Sequence, residues 1–252
     1  MKIVALLPVK NEGWVLDTYL SSLNSFCDLI VALDDGSTDN TLEILNKHNV
    51  VTVKNDYKGD NWAEHSMRQK LLEIGRENGG THFVCLDGDE AFSSGFRGEE
   101  ARSTILNLKK GETLAFRWVT LWKSINTERI DEPWDNLYKD FVFCDDEKLE
   151  YKYKFMHVSR TPEYSDNTPK KVIKVEDKNS VVLHFKFYNY SRTLYNLAWY
   201  RCSELIHNIR PAKKINLMYG ITLDSRNVKK RVLDNSLFKD LPIPSLTSTE
   251  DS

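Results

Sequence analysis

An α/β fold with a mostly parallel central sheet flanked by helices is predicted by three features of this 252-residue chain. Short, continuously apolar runs rich in branched residues recur in its first third, as strands buried on both faces require. Segments with helical spacing separate those runs. Acidic turn sequences close two of them, at the strand ends where open α/β sheets take ligands.

The elements follow in order. IVALLPV, residues 3 to 9, is the first buried strand. Residues 13 to 24 place Val15, Leu16, Tyr19, Leu20 and Leu23 on one helical stripe. LIVAL (29 to 33) is the second strand, and Asp34-Asp35-Gly36-Ser37-Thr38-Asp39 supplies turn and cap chemistry for the helix TLEILNKH. VVTVK (50 to 54) is a third strand. A longer helix from Asn61 to about Gly75 carries Ala63, Met67, Leu71 and Ile74 toward the sheet, with Arg68 beside that stripe. Gly79-Gly80 stops it, and HFVCL (82 to 86) is a fourth strand that delivers Asp87.

Beyond Phe92 the character changes. Residues 99 to 109 read as a helix and LAFRWVTLW (114 to 122) as a strand of a mixed sheet. Residues 123 to 180 read as irregular, and VVLHFKFYN (181 to 189) as another strand. A helix capped by Ser191 and carrying Leu194, Leu197, Ala198, Leu205 and Ile209 ends before Pro211. A basic segment of ambiguous structure and a polar tail, LPIPSLTSTEDS, expected to be disordered, complete the chain. The expected organisation is one domain over 1 to 190 and a helical C-terminal extension over 191 to 252.

A hydrophobic fraction of 40% supports a sizeable core, and a formal charge of −2 argues against nucleic-acid coating. The basic runs, including Lys213-Lys214 and Lys229-Lys230-Arg231, read as solvated faces, with peripheral membrane contact through the segment near Lys229 left open. Cys27, Cys85, Cys144 and Cys202 match no zinc spacing, and a reducing, cytoplasmic setting is expected. The N-terminal apolar stretch is too short for a signal sequence, and no segment is long enough to span a membrane.

FVCLDGDEAF, residues 83 to 92, places Asp87, Asp89 and Glu90 at the end of a buried strand. Crowded carboxylates cost free energy unless a cation or donors compensate. Oxygen ligands with an open coordination sphere favour Mg²⁺ or Mn²⁺, which complete their shells with substrate phosphates. A plain turn-capping role for Asp87 and Asp89 is the competing reading, and Glu90 adds repulsion that capping does not need.

LLPVKNE (6 to 12), ALDDGSTDNT (32 to 41) and FVCLDGDE (83 to 90), in this order and at these separations, resemble family 2-type glycosyltransferases of the GT-A (Rossmann-like) fold with its Asp-x-Asp motif. The resemblance covers roughly residues 3 to 95. It implies a nucleotide-sugar-binding half over 1 to 95 and an acceptor-binding half over 96 to 190. It also implies that Pro8, Asn11 and Glu12 line the nucleotide pocket, and that Asp34 or Asp35 accepts a hydrogen bond from the base. Arg68 then helps hold the diphosphate, although a solvent-facing helix arginine is an equal alternative. Asp87 and Asp89 bind the metal, and Gly88 lets the backbone approach the phosphates. His184 sits where many such enzymes place a late metal ligand or phosphate contact; a core histidine is as good a reading. His157 and Arg160 are a second polar pair with either a diphosphate or acceptor contact or a turn-capping role.

The implied reaction is sugar transfer from a nucleotide-diphospho-sugar, a UDP-sugar above GDP- or dTDP-sugars, to a hydroxyl of a glycan, lipid-linked or protein acceptor, with inversion. It needs a charge sink for the departing diphosphate and a carboxylate base. Asp131, Glu132 and Asp135, beside Trp134 in INTERIDEPWDN, are the candidates for that base, Asp131 first, with Trp122 and Trp134 available to stack on sugar rings. A sugar-nucleotidyltransferase is a weaker alternative because no Gly-rich phosphate loop follows the first strand. A non-catalytic nucleotide-sugar- or carbohydrate-binding module is the alternative from another class.

Overall fold

The computed structural model describes residues 1–56, 63–164 and 170–245. Strand β1 (Ile3–Val9) lies between β2 (Leu29–Asp34) and β4 (His82–Val84), with β3 (Val51–Lys54) outside β2, all parallel. Helices α1 (Leu16–Leu23), α2 (Thr41–Lys47) and α3 (Glu64–Glu77) make the crossovers. The unbroken apolar run of β1 follows from its position. Ile3, Ala5, Leu7 and Val9 pack on one face with Tyr19, Leu20 and Leu23 of α1. Val4 and Leu6 pack on the other with Met67, Leu71 and Leu72 of α3. Each fully buried aliphatic side chain contributes about 1.5–3 kcal/mol, so neither face tolerates a polar residue.

The flank of the sheet is mixed. Helix α4 (Gly98–Leu106) follows β5 (Glu90–Phe92), and β6 (Glu112–Trp122) returns antiparallel to β8 (Tyr138–Cys144), which itself lies antiparallel beside β4. Strand β10 (Val182–Phe187) pairs parallel with β6 and antiparallel with β5. Along the main path the order is β11-β7-β6-β8-β4-β1-β2-β3, where β7 is Thr127–Arg129 and β11 is Lys230–Val232; β9 (Lys171–Lys174) pairs with β6.

Several sequence expectations are corrected. The stretch read as irregular, 123 to 180, holds β7, β8 and β9. The buried Phe141, Val142 and Phe143 of β8 were its apolar signal. The first helix begins at Leu16 rather than residue 13; before it, the backbone N–H groups of Glu12 and Gly13 donate to the side chains of Thr41 (2.9 Å) and Asp39 (3.1 Å). Helix α5 (Tyr190–Ile206) is capped by Asn189, whose side chain accepts from the Arg192 N–H at 3.1 Å, so Ser191 lies inside it. Leu194 is exposed, since the buried stripe of α5 is Thr193, Leu197 and Glu204. The ambiguous basic segment contains α6 (Ala212–Leu223). Residues 241–245, expected to be disordered, pack back: Leu241 is buried and Pro244 accepts a hydrogen bond from the Tyr188 hydroxyl at 2.8 Å. Residues 246–252 lie outside the described residues, as do the first two of the helix expected from Asn61.

Candidate active site

The carboxyl ends of β1, β2 and β4 form one rim, and its first layer is a template of side chain to backbone bonds. The N–H of Asn11 donates to the Ser37 hydroxyl at 2.9 Å, alongside the bonds from Glu12 and Gly13. In return the Asn11 side-chain oxygen accepts from the Thr38 N–H at 2.7 Å. Asn11 itself sits at φ +54, a left-handed conformation that asparagine tolerates better than most residues. The two motifs KNE and DDGSTDNT therefore co-occur because each satisfies the other's backbone.

Within that rim Asp34 and Asp35 differ. Asp34 is buried and accepts from the N–H groups of Gly36 and Ser37 at 3.1 Å, closing the turn that Gly36 makes at φ +82. Asp35 reaches the opening, where it accepts from the Asn55 side-chain amide at 2.6 Å and pairs with Lys10 at 3.3 Å. Asn55 extends from the end of β3 and was not legible from the sequence. Pro8 lies in β1, partnered with Leu33.

Glu12 fills the space beside Gly88: a Cβ added at Gly88 would stand 2.8 Å from the Glu12 Cγ. Glycine at 88 is thus needed for the approach of Glu12. The Glu12 carboxylate accepts from the Trp14 indole N–H at 2.8 Å and pairs with Arg192 of α5 at 3.2 Å, while Arg192 also donates to the Asn11 carbonyl. Burial, with Asp89 nearby, nevertheless pushes the Glu12 pKa up to about 8. The folded chain therefore holds a proton on Glu12 that the unfolded chain has lost above its ordinary value of 4.5. The sign follows from linkage: stability falls as pH rises through that window. Glu12→Gln is expected to flatten the decline of the thermal midpoint between about pH 5 and pH 8. Melts of the two proteins across that range check it, and parallel curves would remove Glu12 as the cause.

The Asp87–Glu90 turn answers why three acids share a strand end. Glu90 does not repel its neighbours; it is fully buried and ties the turn together. It accepts from the Asp87 N–H at 2.8 Å, the Trp118 indole at 2.8 Å and the Arg160 guanidinium at 2.7 Å. Asp87 lies between two guanidiniums, Arg68 at 2.9 Å and Arg160 at 2.6 Å. Burial alone would raise its pKa, but Arg160 and Arg68 hold it well below the usual carboxylate range. Arg68 is 5% exposed and is also bonded to Glu64, which removes the solvent-facing alternative.

Asp89 turns the other way. Its carboxylate lies 3.5 Å from His184 Nε2, and burial is outweighed by His184 and Lys186, so its pKa is lowered. His184 is buried, stacked on Trp118 with centroids 4.1 Å apart, and its Nδ1 has no partner among the described residues. Lys186, two residues on along β10 and beyond a register irregularity after His184, lies near enough to Asp89 to help keep it ionised. Burial lowers the Lys186 pKa, and burial with Arg160 nearby brings that of Lys139, lying 3.4 Å over the Trp118 ring, down to about 8. Lys139, Lys186 and Arg192 carry no sequence signal.

An oxygen and an imidazole nitrogen 3.5 Å apart have the spacing of two ligands on one ion held at about 2.1 Å from each. Asp89 and His184 therefore fit a divalent cation, whereas both oxygens of Asp87 are engaged by arginines. Among the described residues no three His, Cys, Asp or Glu side chains form a closed metal cluster, so such an ion would complete its shell with phosphate and water.

Of the three acceptor-side acids, two are committed to arginines. Asp131 is held by the buried Arg129 at 2.8 Å, and that guanidinium also packs over Trp134 at 3.6 Å. Asp135 pairs with Arg231 at 2.5 Å. Glu132 is exposed and has no partner among the described residues. Nearer the rim, His157 Nε2 lies 2.6 Å from the buried Glu204 of α5, which also accepts from the Tyr219 hydroxyl at 2.9 Å. The next residue, Val158, donates its N–H to Glu64, linking this pair to Arg68 and Asp87.

No protein-family profile matches the chain, and no curated protein does. Among solved structures, S. aureus TarS 1–349 in complex with UDP-GlcNAc is similar at 15% identity over 73% of this chain and 58% of that chain, with a TM-score of 0.44. TarS 1–349 without that ligand is similar at 13% identity over 90% and 74%, with a TM-score of 0.46. Glucosyl-3-phosphoglycerate synthase from Mycobacterium tuberculosis, in complex with Mn²⁺, UDP-glucose and phosphoglyceric acid, is similar at 21% identity over 35% and 34%, with a TM-score of 0.29. The chain spans less than two thirds of the length of the TarS complex with UDP-GlcNAc. The sheet of this chain has the parallel core β3-β2-β1-β4 and a mixed flank.

Proposed function

We propose that this chain is a metal-dependent glycosyltransferase that moves a sugar from a nucleotide-diphospho-sugar to an acceptor hydroxyl, with inversion at the anomeric carbon. One observation carries the reading: the Asn11–Glu12, Asp34–Asp39 and Asp87–Glu90 segments meet at the carboxyl ends of three parallel strands, with cationic side chains gathered on the same rim. Asp35 beside Asn55 offers an acceptor next to an amide, the complement of a uracil imide, which favours UDP-sugars. Asp89 and His184 would hold Mn²⁺ or Mg²⁺, which supplies Lewis-acid stabilisation of the leaving diphosphate. Lys186 and Arg68 flank that position and place fixed positive charge where the leaving group gains its negative charge. The proton of the acceptor hydroxyl goes to an exposed group on the acceptor side. Glu132, with a free carboxylate, and His157, oriented by Glu204, meet that requirement, whereas Asp131 and Asp135 are committed to arginines.

The test is release of UDP, GDP or dTDP from a panel of nucleotide sugars, with Mn²⁺ and with EDTA. UDP release that needs the ion is expected. Glu132→Gln and His157→Gln, assayed together, separate the two bases: the true base loses transfer to acceptor by about 10²-fold or more while donor binding stays. Donor binding that is indifferent to Mn²⁺, with no sugar transfer, would leave a binding module and overturn the transferase reading.

A further inference from the structure

We propose that the outward face of the α5–α6 hairpin docks on an anionic lipid surface. Residues 190 to 232 carry nine Lys or Arg against two Asp or Glu, seven positive charges in excess, although the whole chain is at −2 and the remainder therefore at −9. Two of those bases meet carboxylates inside the hairpin, Arg210 on Glu204 and Arg226 on Asp224, and Arg192 and Arg231 pair with acids elsewhere. Arg201, Lys213, Lys214, Lys229 and Lys230 are exposed and form no ion pair among the described residues.

The apolar pattern is equally lopsided. Seven of the twelve exposed large hydrophobic side chains among the described residues lie on α5 and α6. On α5, Thr193, Leu197 and Glu204 face inward, and Tyr195 and Ile206, at 74% and 73% exposure, stand on the opposite side with Trp199. On α6, Ile215 and Tyr219 face inward, while Leu217 and Ile221, four residues apart, stand opposite with Lys214. The inner faces share one core with Trp122, Trp134 and Phe187, and Arg201 bonds Asn216 across the hairpin at 2.8 Å. Both outer stripes therefore turn away from the same body.

Leucine, isoleucine and tryptophan set among unpaired lysines match the interface of a bilayer, where apolar side chains enter the acyl boundary and lysines meet anionic headgroups. A second copy of this surface would be repelled by its own sign of charge. A nucleic acid would satisfy the lysines and leave the aliphatic stripe in water. Nothing in this inference depends on the transferase reading.

Sedimentation of the full chain with phosphatidylcholine vesicles, with and without phosphatidylglycerol, tests it. Binding to the anionic vesicles is expected, weakened by salt and absent with phosphatidylcholine alone. L217S/I221S and K213E/K214E, all at exposed positions, should each weaken it on the order of tenfold or more with unchanged thermal midpoints. No partition onto anionic vesicles overturns the proposal. So does duplex DNA binding that L217S/I221S leaves intact alongside unaltered vesicle binding, which marks a general polyanion surface. Self-association that L217S/I221S abolishes, without lipid binding, marks a homodimer face and overturns it too.

Discussion

Arg160→Ala is expected to cost roughly 3–5 kcal/mol of stability, a fall in thermal midpoint on the order of 10 °C for a chain of this size. The guanidinium spans two carboxylates, Asp87 at 2.6 Å and the fully buried Glu90 at 2.7 Å. Pairing two arginines with these two acids offsets a desolvation cost that each ion carries separately. Deleting Arg160 leaves Arg68 on Asp87 and leaves Glu90 with only the Trp118 indole and one backbone N–H. Breaking a buried pair from one side is the costly case, because the charge left behind keeps its burial and loses its partner. Glu90→Gln combined with Arg160→Ala removes both ions, so its loss should be clearly smaller than the sum of the two single losses. Midpoints of the four proteins by differential scanning calorimetry decide the matter. An Arg160→Ala protein melting within a degree or two of the parent would show that Glu90 is satisfied without it.

The parallel core was legible because its signal is local. Ile3 to Val9 is apolar on every residue since both faces of β1 are covered, and a strand with one face in water would alternate instead. β8 was not read although Phe141, Val142 and Phe143 are fully buried. Its first half, Tyr138 to Asp140, is polar and half-buried, so a three-residue apolar run in a polar stretch did not suffice. At the site, the acids at strand ends were visible as a pattern, but their division of labour was not. Nothing in LDGDE distinguishes Asp87, clamped by two arginines, from Asp89, facing His184, or from Glu90, which holds the turn. Those differences come from Arg68, Arg160 and His184, brought in from α3, a loop and β10 by tertiary packing. Asp131 illustrates the converse. Its neighbourhood of acids and a tryptophan looks like a base beside a sugar platform, yet Arg129 sits between them, bonded to Asp131 and packed over Trp134.

Asp89→Ala should reduce kcat/KM by at least about 10³-fold, close to 4 kcal/mol of transition-state stabilisation, while leaving the fold intact. The asymmetry follows from what the residue touches. Its backbone carbonyl accepts from the Phe185 N–H at 2.8 Å and survives the substitution. Its carboxylate, about a quarter exposed, faces His184 at 3.5 Å and offsets the positive charge of Lys186. Removing it therefore strips an ionic ligand from the pair proposed for the cation, leaving His184 alone, and spares the Arg160 network that holds the turn. It also deepens the downward pull that burial already exerts on the Lys186 pKa, so a second cation on the leaving-group side is weakened with it. Two measurements separate this from general damage. The thermal midpoint should stay within a degree or two of the parent, and the Mn²⁺ dependence of UDP release should vanish along with the rate. A variant that kept parental turnover and Mn²⁺ response would remove Asp89 from the ion site. Asp87, with its arginines displaced by substrate, would then be the only carboxylate of the turn left to take the cation, since Glu90 is buried in the turn itself.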